Sequence, residues 1–470
     1  MYRLLLALLS GFVPVTFIYG GSVRVSGCDK SYAGSYFTLK TYEEYITYQE
    51  KTLAETAVDA RGCFSLEFQL EKTSLVFFHL GKHFAYFYAE PGKDYHVILP
   101  PRADKTEADR LNPYFAEEEE HLLPVNEDSL ELNHLIARFD SIYGPYYSQY
   151  ALSVYGPPDP ASADTAVQSI LRHFKGISHP YFSAYLLYKT GILRCIASQY
   201  KARNLSAMYF RNRPVLYENP AYMELFHRIY DSYFTYFGRT DSGKAIYEVI
   251  NRNQSYTVLR QILAADDVFR GDTLRDLVIL KNLHDEFYRT SFNRNALIHV
   301  LDSFRLHGQV TMFRPVAANI LKKVTRLMAG YPPPPFHLQD SHGNIRTLED
   351  FKGRYVYLNF CYCSSYSCLK EFEMLNTLYK KLKGYFEIVT ILADPTLQKV
   401  TDFLNQNDYA WTFLHYGQQP DILKDYDIRA FPTYFLIGPD GKLILSPAPS
   451  PAENFQQTLF NIMRSRGDLK

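Results

Sequence analysis

The fold is decided by the segment 355–372, which reads YVYLNFCYCSSYSCLKEF. Its first part, Tyr355 to Phe360, is a continuous apolar run that predicts a β-strand buried on both faces. The next part is a loop that brings three cysteines within eight residues. The side chains that then recur at helical spacing are Cys368, Phe372, Leu375, Tyr379 and Leu382. The segment therefore predicts a strand, a cysteine-bearing loop and a helix in succession.

The sequence on both sides continues this pattern. Before the segment, Asp340 to Asn344 predicts a hairpin turn. After it, strands are predicted at 386–393 and 434–437, a tight turn and hairpin partner at 438–445, and helices at 397–405 and 452–464. Alternation of strands and helices over about 135 residues indicates an α/β unit with a mixed sheet.

Several motifs in this unit resemble a known family. They are PFxLxDxxG from Pro335, LxxFxG from Leu348, LNF from Leu358, CxxE from Cys368, FPTYFLI from Phe431 and DGK from Asp440. Together they resemble the TlpA/ResA-type thioredoxins of the bacterial cell envelope, over about residues 332–464. The resemblance implies a thioredoxin-like domain that exchanges disulfides with thiols or disulfides of envelope proteins, without a metal or other cofactor. In that family a Cys-x-x-Cys pair lies at a helix N-terminus, where the helix dipole lowers the pKa of the thiol.

The same resemblance assigns site residues, and one of them departs from the family. The attacking cysteine is expected at position 365, where this chain has Ser365, and Cys368 takes the resolving position. Glu371 matches a carboxylate that tunes the thiols. Pro432 matches the family's cis-proline and, with Phe431, is expected to contact the substrate. A serine hydroxyl cannot form a mixed disulfide, so the family's mechanism cannot operate unchanged.

The other cysteines of the loop, Cys361 and Cys363, leave three interpretations of the site open. Cys363 and Cys368 could act as a dithiol, which requires their Cα atoms to come within about 7 Å. The thiols could instead be structural or idle. Three soft sulfur ligands, with His415 added, are also compatible with Cu(I). The corresponding functions are a thiol-disulfide oxidoreductase and, as the alternative, a redox-inactive thioredoxin-fold protein that binds an unknown protein partner or serves as a scaffold.

The sequence outside this unit predicts that the protein is exported and has several domains. Residues 1–21 resemble a signal peptide, and no later segment predicts a transmembrane helix. A β-rich domain is predicted at 22–105, an all-α domain of six to nine helices at 120–330, and the thioredoxin-like fold at 332–470. Four consecutive prolines from Pro332 mark the last boundary. Export places the protein in the periplasm or cell envelope.

The β-rich domain contains two further features. Its predicted strands are Tyr36 to Thr41, Cys63 to Leu70, Ser74 to Leu80, Phe84 to Tyr88 and Tyr95 to Leu99. Cys28 and Cys63 could form a disulfide or remain two buried thiols. Cys28 also follows a short stretch that resembles a lipoprotein cleavage box, although Val23 to Val25 favours a β-strand there. The acidic run from Glu117 to Glu120 is predicted to be a solvated linker or helix start with no binding role.

The composition of the chain argues against other classes of protein. The 470 residues include 50 Lys and Arg against 50 Asp and Glu, so the formal net charge is zero. Without a net positive charge or a basic patch, the sequence gives no reason to expect nucleic-acid binding. Six cysteines are too few for a disulfide scaffold of this length.

Overall fold

The structure is a computed structural model of the chain. It describes residues 20–125, 128–152, 160–198, 202–269, 271–382, 384–419 and 421–469. The predicted signal peptide lies outside these residues, apart from Gly20 and Gly21. Within the described ranges, no helix is both long and apolar enough to cross a membrane.

The chain divides into two compact units. One contains the residues up to 103 together with 117–231, and the other contains 104–116 together with 232–470. The helical region is therefore shared between the units, and the domain boundaries that the sequence suggests at 105, 120 and 330 stay predictions.

Two sheets form the strand-rich part of the first unit. The strands β1 to β8 are Gly21–Cys28, Tyr36–Tyr42, Glu50–Ala57, Cys63–Leu70, Ser74–Leu80, His83–Ala89, Asp94–His96 and Glu118–His121. The smaller sheet has the order β4-β1-β7 and the larger the order β3-β2-β5-β6-β8. Apolar side chains of both sheets, such as Val25, Leu66, Phe78 and Phe87, form one core.

The five predicted strands of this region and the strand favoured at Val23 to Val25 are present, with ends shifted by up to three residues, but β3 and β8 were not predicted. The prediction for the acidic run was wrong, because Glu118–His121 is the edge strand β8, parallel to β6. An edge strand can be polar, since its pairing comes from backbone hydrogen bonds to a single neighbour.

Cys28 and Cys63 form a disulfide. They are the final pair of the antiparallel β1–β4 ladder, which joins eight residues of each strand. The structure thereby decides between the two alternatives that the sequence left open, and it places Cys28 in a strand.

Helices dominate the middle of the chain. After the short helix α1 (Glu107–Leu111), the helices α2 to α12 are Leu132–Leu152, Pro160–Arg172, Pro180–Ser198, Ala202–Tyr209, Pro220–Ile229, Tyr233–Phe237, Ile246–Glu248, Tyr256–Leu263, Asp272–Phe287, Arg294–His307 and Arg314–Thr325. In the described part of this region these eleven helices exceed the predicted six to nine, because several are only one or two turns long.

The C-terminal part of the second unit contains a seven-stranded mixed sheet. Its strands β9 to β15 are Leu338–Asp340, Ile345–Arg346, Tyr355–Cys361, Phe386–Leu392, Thr412–His415, Thr433–Ile437 and Leu443–Leu445. The helices α13 to α16 are Tyr366–Leu382, Leu397–Asn405, Ile422–Asp425 and Phe455–Arg466. The strand order is β10-β9-β13-β12-β11-β14-β15, with β11 parallel to β12 and antiparallel to β14.

Strand β11 is buried along its whole length, as predicted. Tyr355, Tyr357 and Cys361 face one side and pack in a cluster with α13 and α16. Val356, Leu358 and Phe360 face the other side and pack in a second cluster. The alternation of the pleat therefore decides which β11 side chains can reach helix α13.

Candidate functional site

The cysteine-bearing loop joins the carboxyl end of β11 to the first turn of α13. Ser365 precedes the helix, and its carbonyl oxygen accepts a hydrogen bond from the N–H of Leu369 at 3.0 Å. Its hydroxyl oxygen accepts the N–H of Cys368 at 3.5 Å. This is the position and contact of an N-cap residue, a role for which serine is among the preferred residues. Ser365 therefore caps the helix, but it cannot carry out the thiol chemistry of a cysteine at this position.

Cys368 lies in the first turn of α13 in contact with Cys361. The thiol of Cys361 donates a hydrogen bond to the sulfur of Cys368, and both residues are fully buried. Hydrogen bonds from Cys361 and Ser365 lower the pKa of Cys368, against the opposing effect of burial. Burial raises the pKa of Cys361. Its hydrogen bond to Cys368 raises that pKa further, because ionisation would remove the proton that makes the bond. Ionisation of Cys368 is therefore favoured over ionisation of Cys361, which acts as the hydrogen-bond donor of the pair.

Cys363 has a different partner. Its backbone N–H donates to Oδ2 of Asp394 at 3.0 Å, and its thiol also hydrogen-bonds to that carboxylate. Burial and the adjacent charge raise the pKa of Cys363, so this thiol stays protonated at neutral pH. Asp394 is itself buried, just beyond the end of β12, and burial raises its pKa.

A dithiol of Cys363 and Cys368 was one of the interpretations that the sequence left open, and the structure adds a contact between Cys361 and Cys368. The pleat of β11 could have indicated this, because Cys361 shares a face with Tyr355 and Tyr357. The role of Asp394 had no comparable signal, since it lies 31 residues from Cys363 in the chain.

Glu371 lies one turn after Cys368 on α13. The hydroxyl of Tyr434, on β14, donates a hydrogen bond to its carboxylate. Burial raises the pKa of Glu371, and its charge acts to raise the pKa of Cys368. The structure thus places the predicted carboxylate within electrostatic range of the thiol and adds Tyr434, which the sequence did not suggest.

The peptide bond between Phe431 and Pro432 is cis, as the family resemblance implied. Thr433 pairs with Phe360 on β11, so Pro432 precedes the β14 residue that lies opposite the end of β11. Cys361 is the next residue of that strand. The predicted substrate-contacting residues and the buried thiol pair therefore lie at the same end of the sheet.

His415 makes two contacts with the backbone. Its Nε2 donates to the carbonyl oxygen of Asp394 at 2.7 Å, and its Nδ1 accepts the N–H of Gly417 at 3.3 Å. Both ring nitrogens are therefore engaged in holding the loop after β13. The three cysteines do not form a convergent ligand group in the described part of the chain, so the geometry gives no support to the Cu(I) interpretation.

Comparison with known proteins shows which protein family the chain belongs to. Residues 328–454 match the Redoxin family model, which agrees with the mixed sheet and the cis-proline before β14. The chain is 36% identical over 123 residues to the thiol-disulfide oxidoreductase ResA of Bacillus thuringiensis subsp. konkukian, covering 26% of this chain and 70% of that protein. It is 30% identical over 133 residues to ResA of Bacillus subtilis, covering 28% and 73%. The chain belongs to the TlpA/ResA-type family.

Among solved structures, the exposed lipoprotein thioredoxin of Streptococcus pneumoniae aligns with 27% of this chain and 99% of its own, at 22% identity and a TM-score of 0.25. The family model lies in the C-terminal part of the chain, at residues 328–454.

Proposed function

We propose that this protein is an exported thiol-disulfide exchange protein in which Cys368 is the reacting thiol and Cys361 its partner. The observation that carries the proposal is the contact between these two sulfurs at the N-terminus of α13, with the pKa of Cys368 lowered by it. Family membership supports the reaction class, and the relatives are named as thiol-disulfide oxidoreductases.

The reaction proceeds in two exchanges. The Cys368 thiolate attacks one sulfur of a substrate disulfide, forms a mixed disulfide and expels the other substrate sulfur, which takes up a proton. Cys361 then loses its proton and attacks the Cys368 sulfur, releasing the second substrate thiol. The substrate disulfide gains two electrons, and the protein retains a Cys361–Cys368 disulfide. The reverse sequence oxidises a substrate dithiol.

Access distinguishes this site from one with a cysteine at position 365. Cys368 is fully buried, so attack on a protein disulfide requires local opening of the structure around it. Tyr366, the first residue of α13, is 81% exposed and offers an aromatic surface beside the cysteine-bearing loop. A protein disulfide whose flanking residues are apolar fits such a surface best.

The disulfide between Cys28 and Cys63 supports export, because stable disulfides form in oxidising compartments outside the cytosol. We propose the periplasm or cell envelope as the location and envelope protein thiols or disulfides as the substrates. Glu371 acts on the pKa of Cys368, and Phe431 with Pro432 contacts the substrate chain.

Pairing is tested by equilibrating the full chain across a series of glutathione redox poises, trapping free thiols by alkylation and measuring the intact mass. We expect a disulfide in the wild type and in Cys363→Ser, and none beyond Cys28–Cys63 in Cys361→Ser or Cys368→Ser. A disulfide kept in Cys361→Ser and lost in Cys363→Ser would make Cys363 the partner. If the wild type forms no second disulfide at any poise, the proposed function is wrong.

A further inference from the structure

We propose that His83, Glu118 and Glu120 form a binding site for a divalent cation with the ligand preferences of Zn²⁺, at the edge of the five-stranded sheet. The site is independent of the thiol chemistry, since it lies in the first unit and contains no cysteine. Within the ranges that the structure describes, this is the one group of three or more His, Cys, Asp or Glu side chains whose ligand atoms all lie within 4.8 Å of one another.

The strand register brings the three residues together. Strands β6 and β8 run parallel, with His83 opposite Glu118 and Ala85 opposite Glu120. Because alternate residues of a strand point to the same face, Glu118 and Glu120 share a face, and Glu119 points to the other. The acidic run thus supplies two carboxylates to one side of the sheet edge and places a third where it cannot take part.

The imidazole of His83 supplies an independent indication of a ligand. His83 is only 8% exposed, and its Nδ1 is buried without a hydrogen-bond partner. That atom lies 4.0 Å from Oε2 of Glu118 and 3.9 Å from Oε1 of Glu120. Both separations are too long for hydrogen bonds. Buried polar atoms are normally paired, so a nitrogen left between two carboxylates indicates an additional group that all three can contact.

A zinc-type cation satisfies these requirements. Zn–N and Zn–O bonds are about 2.0–2.2 Å, so an imidazole nitrogen and a carboxylate oxygen on one ion lie at most about 4.3 Å apart. The observed separations are within this limit. The side chains of Glu118 and Glu120 are 76% and 46% exposed. Small rotations of these side chains bring the angles between the ligand atoms at the ion to tetrahedral values. Two carboxylates balance the charge of the ion, and water completes the coordination.

A neighbouring histidine shows how the sheet holds a ring without an ion. His79, on β5, contacts Oε2 of Glu117 at 2.6 Å through Nδ1 and Oε1 of Glu50 at 3.3 Å through Nε2. Both nitrogens of His79 are therefore used in ion pairs within the protein. His83 lacks equivalent contacts at Nδ1, although two carboxylates lie nearby.

The test is calorimetric titration of the tag-free full chain with ZnCl₂. We expect one Zn²⁺ per chain in the wild type and a loss of affinity of roughly tenfold or more in His83→Gln and in the double variant Glu118→Gln/Glu120→Gln. Glu119→Gln and His79→Gln are the matched controls and should bind as the wild type does. A wild-type protein that takes up no Zn²⁺ would overturn the proposal, as would His83→Gln with unchanged affinity.

Two further measurements keep the result unambiguous. Zinc should still bind to the triple variant Cys361→Ser/Cys363→Ser/Cys368→Ser, and loss of all binding there would assign the ion to the thiols instead. Zinc should also raise the melting temperature of the wild type and not that of Glu118→Gln/Glu120→Gln, in which His83 and the core around it are retained. Equal stabilisation of both proteins would contradict the assignment.

Discussion

The hydroxyl of Tyr434 on β14 donates a hydrogen bond to Glu371 on α13, and this bond links the strand after the cis-proline to the helix that carries Cys368. The contact fixes a carboxylate one helical turn from the thiol. Its charge opposes ionisation of Cys368, whereas the hydrogen bonds from Cys361 and Ser365 favour it. The reactivity of Cys368 is therefore set by two opposing influences from neighbouring elements.

Removing the charge of Glu371 should make Cys368 more acidic. Glu371→Gln abolishes the repulsion between carboxylate and thiolate, so we expect a lower pKa for the Cys368 thiol. The measurement is a pH titration of thiolate absorbance near 240 nm, taken as the difference between each protein and its Cys368→Ser counterpart. Glu373→Gln is the matched control, because Glu373 is an exposed carboxylate on the same helix. An unchanged or higher pKa in Glu371→Gln would refute the tuning role.

Periodicity accounts for the parts of the fold that the sequence predicted well. The apolar run of β11 and the 3.6-residue spacing of α13 were clear because both elements bury most of their length. The edge strands β3 and β8 lack that signal. Glu118–His121 has no apolar alternation, and its strand conformation depends on hydrogen bonds to β6 that only the folded sheet provides.

The candidate site was predictable to a similar degree. Position 365, Cys368, Glu371 and the cis-proline follow from short motifs. The partner of Cys363 does not, since Asp394 reaches it only because β11 and β12 end side by side. Contacts between the ends of adjacent strands depend on sheet order, which local sequence does not encode.

His79 should make the strand-rich region sensitive to alkaline pH. Although burial favours the neutral ring, its bonds to Glu117 and Glu50 raise the pKa of His79 to about 9. A raised pKa stabilises the fold fully below the unfolded value near 6.5, and this stabilisation is lost as the pH rises to about 9. The side chain is 35% exposed, so we expect a contribution of only about 1 kcal/mol after solvent screening.

Calorimetric unfolding of wild type and His79→Gln between pH 6 and 9.5, with EDTA present, measures this contribution. The stability difference between the two proteins should be largest near pH 6 and shrink through the interval from 6.5 to 9. A difference that is constant with pH would show that the ring charge contributes nothing.

The disulfide between Cys28 and Cys63 should stabilise the strand-rich region strongly. It closes a chain segment with a sequence separation of 35, for which loss of chain entropy in the unfolded state amounts to about 4 kcal/mol. We expect Cys28→Ala/Cys63→Ala to lower the free energy of unfolding of this region by that order, measured by hydrogen exchange of β1 and β4 peptides in increasing urea. Reductant should weaken protection in the wild type and have no effect on the double variant.

Restoring a cysteine at the N-cap of α13 should convert the site to a faster catalyst. Ser365 is half-buried at the loop, whereas Cys368 is fully buried. Ser365→Cys therefore places a more accessible sulfur three residues before Cys368, next to the free N–H groups of the helix, where thiolates are stabilised. We expect this variant to reduce insulin disulfides at least roughly tenfold faster than the wild type in the presence of dithiothreitol.

The matched control is Ser364→Cys, which adds a thiol one residue earlier in the same loop and does not create a Cys-x-x-Cys pair. Fluorescence of Trp411, the single tryptophan, reports whether each variant retains the fold of the C-terminal part, since this side chain is buried there. If both variants are folded and Ser365→Cys is no faster than Ser364→Cys, then position 365 is not where this site receives its substrate. The rate would then depend on local opening around Cys368, and Cys361→Ser in the Ser365→Cys background should lower it, because Cys361 is the proposed partner of Cys368.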